Sequence, residues 1–354
     1  MKKTGSKATR RKGQAVTIDA VAARAKVSPM TVSRVINNQG KVRDSTRERV
    51  LAAVRELDYV PNRAASSLAA AHDVRIALIY TNPSAGYLRE LLVGALRGAA
   101  RTAAQLVIDD WEALDEAAER KATRALAKSV GGVILPPPLC ESTPLIEELA
   151  TAGVPAVAIA AGHFNPDISS VRIDDFLAAR EMVEHLIKAG HRRIACIKGH
   201  PNQAASQRRL EGYQAALREA GITPDPALAP TGYFSYRSGL DAAETLLALR
   251  KPPTAIFASN DDMAAAAISV AHRRGLAVPQ DLSVVGFDDS SAATTVWPAL
   301  TTVHQPIASM ADSAIDILLR TIRRRKPGDT RVVVDQVVAH QLVLRDSVAP
   351  PRRG

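Results

Sequence analysis

The sequence predicts a small all-helical module followed by a larger α/β core of parallel sheets. Three observations carry this. Residues 17–37, TIDAVAARAKVSPMTVSRVIN, hold two short amphipathic helices around a tight turn. From Val74 onward, short β-branched runs alternate with helical stretches, the pattern of parallel strands buried on both faces. Charge changes at the same place. The chain carries 46 Lys+Arg and 36 Asp+Glu, net +10, and residues 1–63 hold 15 and 5 of them, which leaves 31 of each for the rest. All the excess positive charge therefore sits on the helical module, the electrostatic footprint of a part that meets nucleic acid.

Each element follows from local chemistry. The basic stretch MKKTGSKATRRKG opens a disordered tail over 1–15, which either tracks phosphates or only keeps the terminus solvated. The first helix runs from Ile18 to Ala25, with Thr17 as N-cap and Asp19 near the positive helix end. Lys26 and Val27 make the turn. Ser28 caps the second helix and Pro29 takes its first position, where the missing N–H costs nothing. Val32, Val35 and Ile36 face inward, which leaves Pro29, Met30, Thr31, Ser33 and Arg34 facing out. Two helices and a turn of this kind are a helix-turn-helix, whose second helix enters the DNA major groove. A third helix is expected from Ser45, with Ser45 and Glu48 as a capping box and Val50, Leu51, Val54 and Leu57 as its apolar face. Residues 63–71, RAASSLAAA, favour helix but are too short to hold one without a partner.

Strands are expected at 74–80, 105–109, 131–137, 155–160, 193–199, 254–259 and 282–289. Helices are expected around 86–103, 114–128, 143–152, 174–189, 203–220, 236–249, 260–274 and 306–325. The alternation breaks once, around 161–173, which divides the core into two similar lobes. The run 331–346 reads as extended strand.

Composition excludes several classes. A chain of 354 residues is too long for one ordinary core. Cys140 and Cys196 lie in or beside apolar runs and read as core thiols in a reduced compartment. No apolar stretch follows the basic N-terminus and no run of about 18 apolar residues exists, so the expected location is the cytoplasm, with no membrane partner. The eight histidines form no pair at metal-ligand spacing, and no nucleophile elbow or phosphate loop is present. No enzyme activity, cofactor or metal is expected. The cluster RTIRRRK at 320–326 reads as a solvated helix end rather than a nucleic-acid patch.

Seven segments in order then carry a resemblance: VSPMTVSRVIN (27–37), LDYVPNRAASSLA (57–69), GHRRIACIKG (190–199), RRLEGYQAAL (208–217), ASNDDMAAAA (258–267), PQDLSVVGFDD (279–289) and PALTTVHQP (298–306). Together they resemble the lactose-repressor (LacI/GalR) family of bacterial transcription regulators over about residues 16–346. The resemblance implies a helix-turn-helix domain (16–61), a hinge helix (62–73) and a two-lobed periplasmic-binding-protein-like core (74–346). The first lobe would own about 74–165 and 304–329, the second about 166–303 and 330–346, with a tail at 347–354. Chain crossings between lobes are expected near 161–173, 300–305 and 328–332. It further implies a homodimer on double-stranded operator DNA, controlled by a small-molecule effector. With SVAPPRRG after Asp346 in place of the family's leucine-rich tetramer helix, dimers are expected.

Among the outward residues, the resemblance makes Pro29, Met30 and Arg34 base readers. An arginine can pair bidentately with guanine, whereas Pro29 and Met30 offer only apolar contact to a thymine methyl. Thr17, Ser28, Thr31, Ser33 and Asn37 are suited to phosphates, which position without specifying. Leu68 matches the family's minor-groove wedge, with Arg63 or Ser66 on the DNA backbone nearby. Effector candidates between the lobes are Tyr87, Leu88, Asp174, Gln203, Gln207, Phe234, Asn260, Asp261 and Asp288. Amides, carboxylates and one aromatic face suit a polyhydroxylated ligand, a sugar. Arg209 takes a packing position in this alignment, so no effector arginine is evident and a purine or acidic effector is the lesser reading. A transport-type solute-binding protein and an enzyme on the α/β lobes are the competing classes. The basic helix-turn-helix argues against the first and the missing nucleophile–base pair against the second.

Overall fold

A computed structural model describes residues 17–36, 42–57, 59, 74–81, 84–111, 114–324 and 332–352. The chain divides into two units, Met1–Asp73 and Val74–Gly354. In the first unit, α1 (Ile18–Ala25), α2 (Pro29–Ile36) and α3 (Asp44–Glu56) close on a small core of Val21, Ala22, Ala25, Val32, Val35, Val50 and Ala53. The Thr17 hydroxyl accepts from the Ala20 amide and caps α1, as its sequence predicts. α1 ends in a left-handed residue, Lys26, at φ 54°, a conformation that usually falls to glycine. The expected capping box at Ser45 does not form. The helix starts one residue earlier at Asp44, with Arg43 at the N-cap position and no side-chain cap. Asn37 and the expected hinge helix with Arg63, Ser66 and Leu68 lie outside the described residues.

The second unit begins with β1 (Arg75–Tyr80), α4 (Ala85–Thr102), β2 (Gln105–Asp110), α5 (Glu116–Leu126), β3 (Gly132–Leu135), α6 (Thr143–Thr151), β4 (Ala156–Ile159) and β5 (Ser169–Arg172). It continues with α7 (Asp175–Lys188), β6 (Ile194–Ile197), α8 (Ala204–Glu219), α9 (Tyr236–Leu247), β7 (Ala255–Ala258), α10 (Asp261–Arg273), β8 (Ser283–Val285) and the short α11 (Ala292–Thr295). The last elements are β9 (Thr302–His304), α12 (Ile307–Arg324), β10 (Asp335–Val337) and β11 (Gln341–Val343).

These strands form a six-stranded sheet in the order β10-β5-β4-β3-β1-β2, a three-stranded sheet β6-β7-β8 and a two-stranded ladder β11-β9. Both larger sheets are parallel throughout, and the ladder is antiparallel. Period-two alternation divides the central strands of the first sheet. Ile76, Leu78, Ile134 and Val157 share one buried cluster with residues of α4 and α12, while Ala77, Ile79, Val133 and Leu135 share another with Leu126, Leu145 and Leu149. Gly94 lets α4 and α12 approach closely, since a Cβ there would overlap the Ala308 backbone. In the second sheet, Ala195, Ile197, Ile256 and Ala258 pack with Ala242, Ala243 and Ala267 of the covering helices.

Pairing moves two segments. β5 and β10 are hydrogen-bonded into the first sheet, although sequence reading placed 166–173 and 330–346 in the second lobe. Short polar strands such as Ser169–Arg172 lack the apolar run that would announce them. The crossings therefore fall at 173–174, at β9 and between β10 and β11, later than 161–173 and 328–332 suggest. Residues 347–352 are not a loose tail. Ser347 is fully buried; its hydroxyl donates to the Val284 carbonyl (2.6 Å) and accepts from the Thr301 amide (2.9 Å). Buried His191 holds the same segment through Ser283 and the Ala349 carbonyl. Burial holds its imidazole below the usual range. Both cysteines are buried and free.

Candidate DNA-reading helix and ligand cleft

α2 presents its reading face through capping and packing. The Ser28 hydroxyl accepts from the Thr31 amide (3.2 Å) and meets the Thr31 hydroxyl at 2.9 Å, so the two phosphate candidates also brace the helix start. Pro29, Met30 and Arg34 are exposed, Met30 to 65 %, while Thr31 and Ser33 are half-buried. A large apolar side chain so exposed at the first turn of a recognition helix gains nothing from its own fold. Arg24 bonds Glu56 at 2.8 and 3.0 Å and ties α1 to α3 from the surface, worth at most about 1 kcal/mol.

The cleft of the second unit lies between the two sheets' carboxyl ends and holds a cavity of about 30 Å³. Five of the nine candidates line it: Tyr87, Gln203, Phe234, Asn260 and Asp288. The other four do not, each for a local reason. Leu88 lies on α4 one residue beyond the wall residue Tyr87. Asp174 is spent as the N-cap of α7, accepting from the Leu177 amide at 3.0 Å. Gln207 is exposed and bonds Glu211. Asp261 is buried beneath the wall, accepting from the Thr302 hydroxyl and the Ser290 amide, both at 2.6 Å.

The lining also holds Ser84, Pro137, Ala160, Ala205 and Arg209. Arg209 packs as read from the sequence, and it also lines the cleft. Its Nε donates to Asp175 Oδ1 (2.7 Å), Nη1 to the Ser259 carbonyl (2.5 Å), and its guanidinium lies 3.6 Å from the Phe287 ring centroid. Nη1 is 3.9 Å from Asp288. The signal was available. Arg209, Gly212, Tyr213, Ala216 and Leu217 fall at helical spacing on one buried face, so the arginine points inward. Ser84 caps α4 and donates across the cleft to Asp262 Oδ2 at 2.7 Å. Glu141 joins the lobes too, accepting from the Gly162 amide (3.3 Å) and the Ala204 amide (2.8 Å).

Electrostatics at the floor are set by burial. Asp175, Asp261 and Asp288 are all buried; Arg209 pairs with Asp175 and lies 3.9 Å from Asp288, while Asp261 is held by Thr302 and Ser290. Desolvation raises the Asp288 carboxyl to about 7, against the pull of Arg209 and the Gln305 amide. Burial raises Asp261 and Asp175 as well. The Tyr87 hydroxyl is buried with no hydrogen-bond partner among the described residues. Phe234 adopts a left-handed backbone (φ 57°), and its ring lies against Gly199, where a Cβ would collide with it. The Asn260 amide donates to the Phe234 carbonyl at 2.9 Å and fixes that turn.

The described residues contain no group of three or more side chains arranged to hold a metal, and no helix long and apolar enough to cross a membrane. Residues 17–62 match the model for bacterial regulatory proteins of the lacI family, and residues 183–348 match the periplasmic binding protein-like domain. The HTH-type transcriptional regulator DegA of Bacillus subtilis is 36 % identical over 337 residues, 94 % of this chain and 98 % of that protein. A transcriptional regulator CelR–cellobiose complex superposes with TM-score 0.71 at 34 % identity, covering 94 % of this chain and 99 % of that one. A lac repressor dimer bound to operator and the anti-inducer ONPF superposes with TM-score 0.74 at 30 % identity, covering 95 % and 100 %. The chain therefore belongs to the LacI family of bacterial transcriptional regulators, with its helix-turn-helix on α1 and α2.

Proposed function

We propose that the protein is a cytoplasmic, homodimeric repressor without enzyme activity, whose affinity for operator DNA is set by a sugar bound in the cleft. The observation that carries the ligand class is the Tyr87 hydroxyl, buried and unpartnered in a wall whose polar groups are two amides, a serine hydroxyl, a carboxylate and a guanidinium, beside one aromatic face. A buried hydroxyl without a partner costs roughly 1–3 kcal/mol, which a hydroxylated ligand would recover. Gln203 and Asp288 offer further donors and acceptors, and Phe234 offers a flat apolar face of the kind that covers a pyranose C–H surface. Arg209 is already engaged by Asp175 and the Ser259 carbonyl, which leaves its charge poorly placed to pair with an anionic effector.

On the DNA side, Arg34 gives the directional contact, a bidentate pair with guanine. Pro29 and Met30 give apolar contacts, and Thr17, Ser28, Thr31 and Ser33 position the helix on phosphates. Asn37, Arg63 and Leu68 complete this reading from the sequence alone. Cleft closure couples to DNA through the ligand's differential affinity for two lobe arrangements. A thermal-shift screen of neutral mono- and disaccharides, sugar phosphates and purines tests the ligand class. Stabilisation by a neutral sugar that Tyr87→Phe weakens supports the reading. Stabilisation by purines or sugar phosphates alone overturns it.

A further inference from the structure

All three chain crossings between the sheets are bonded to one charged cluster at the cleft floor. The first crossing, at 173–174, leads into Asp175, whose Oδ1 accepts from Arg209 Nε at 2.7 Å. The second is β9 and the residue after it. His304 Nδ1 lies 3.1 Å from Asp289 Oδ2, and Gln305 Nε2 donates to Asp288 Oδ1 at 2.7 Å. The third, between β10 and β11, leads into β11, after which Arg345 Nη2 donates to Asp289 Oδ1 at 2.6 Å and Nη1 to the Leu300 carbonyl at 2.8 Å. Asp288 and Asp289 both sit at positive φ, 108° and 57°, a backbone that non-glycine residues hold only when their surroundings impose it. Asp288 faces the cleft, and Asp289 does not line it.

We propose that Asp289, gripped by Arg345 and His304, is a positioning residue that couples the ligand-contacting Asp288 to the crossing strands. The path is continuous: Arg345 to Asp289, one peptide bond to Asp288, then Arg209 and Asp175. Neither Arg345 nor His304 is among the cleft's lining residues, so neither reads the ligand. Their role is to hold the strained Asp288–Asp289 turn in register with β9 and β11, which are themselves paired antiparallel. A displacement of Asp288 on ligand binding is then felt at every crossing at once. The coupling role rests on the cleft being the effector site; the mechanical link itself does not.

Hydrogen–deuterium exchange on the full-length protein without ligand tests the link and stays readable whatever the effector is. Arg345→Met keeps the aliphatic stem and removes the bonds to Asp289; Asp289→Asn removes the charge from the other side. Each is expected to speed exchange roughly tenfold in peptides spanning 172–178 and 301–305 as well as around its own position. The double variant is expected to add little to either single one. Acceleration confined to 343–347 for Arg345→Met and to 287–290 for Asp289→Asn, with additive effects in the double variant, would overturn the proposal. A variant that fails to fold is replaced by His304→Gln, for which the same two outcomes apply to 172–178.

Discussion

The reading helix and the ligand cleft are built in opposite ways. α2 carries all its described candidate contacts within a few consecutive residues, on a module whose core is seven small apolar side chains. The cleft is assembled from wall residues scattered between Ser84 and Asp288, held by a buried charge cluster and a left-handed turn. Helix periodicity alone fixes which α2 residues face out. Only tertiary pairing fixes which cleft residues face in. The two sites should therefore fail differently when perturbed: the helix by loss of a contact or of its small core, the cleft by leaving charges stranded.

Arg209→Ala sharpens that contrast most. It leaves Asp175 and Asp288 buried without their cation, and loss of one partner from a buried pair costs about 3–5 kcal/mol. Thermal unfolding should show the second unit melting many degrees lower, with helix-turn-helix unfolding unmoved. Val32→Ala comes next. Val32 is fully buried in α2, and truncating it should cost about 2 kcal/mol in so small a core. Operator affinity should fall while the melting of the α/β unit stays the same. Arg34→Ala should cost about 1–3 kcal/mol of operator binding, concentrated at one base pair, with no change in either melting transition. Competition with single-base operator variants would show it. A loss spread evenly over all sequences would make Arg34 a phosphate contact instead.

The smallest effect is on pH dependence. Asp288 has a folded-state carboxyl raised to about 7, so its folded form holds a proton that the unfolded chain has released. Its contribution is present below the ordinary carboxylate range and is lost as pH rises through 7. His191 has the opposite sign. Its imidazole is lowered, so its contribution holds above the ordinary histidine range and is lost as pH falls. Asp288→Asn should therefore flatten the decline in melting temperature between about pH 4 and 7, from the ordinary carboxylate value to the raised one. An unchanged pH profile in the variant would mean that Asp288 is ionised throughout.

What was legible in the sequence follows the same division. The three helices, the parallel α/β alternation and the outward face of α2 are local patterns, and the structure reproduces them. β5 and β10 were misplaced because their burial comes from sheet neighbours distant in sequence, not from their own composition. Asp174 and Asp261 are ligand candidates through the family resemblance, which aligns residues but not the direction of each side chain. One caps its helix and the other braces β9, distinctions that depend on a one-residue difference in position. Arg209 packs inward as its helical stripe implies, and only the tertiary structure shows that it also lines the cleft. Ser347 and its neighbours carry no periodic signal, and their order comes from His191, Ser283 and Val284.

The proposed function joins DNA reading by α2 to control through the cleft. Its most direct test selects a binding site from random duplex DNA, then measures affinity for that site at fixed salt with and without a panel of neutral sugars and purines. Salt is fixed because phosphate contacts alone make affinity fall steeply with ionic strength. The account predicts a near-palindromic site and one sugar that shifts its affinity about tenfold or more, with Tyr87→Phe reducing the shift and Arg34→Ala leaving it intact. A selected site whose affinity no sugar changes, or a shift that survives Tyr87→Phe undiminished, would contradict it.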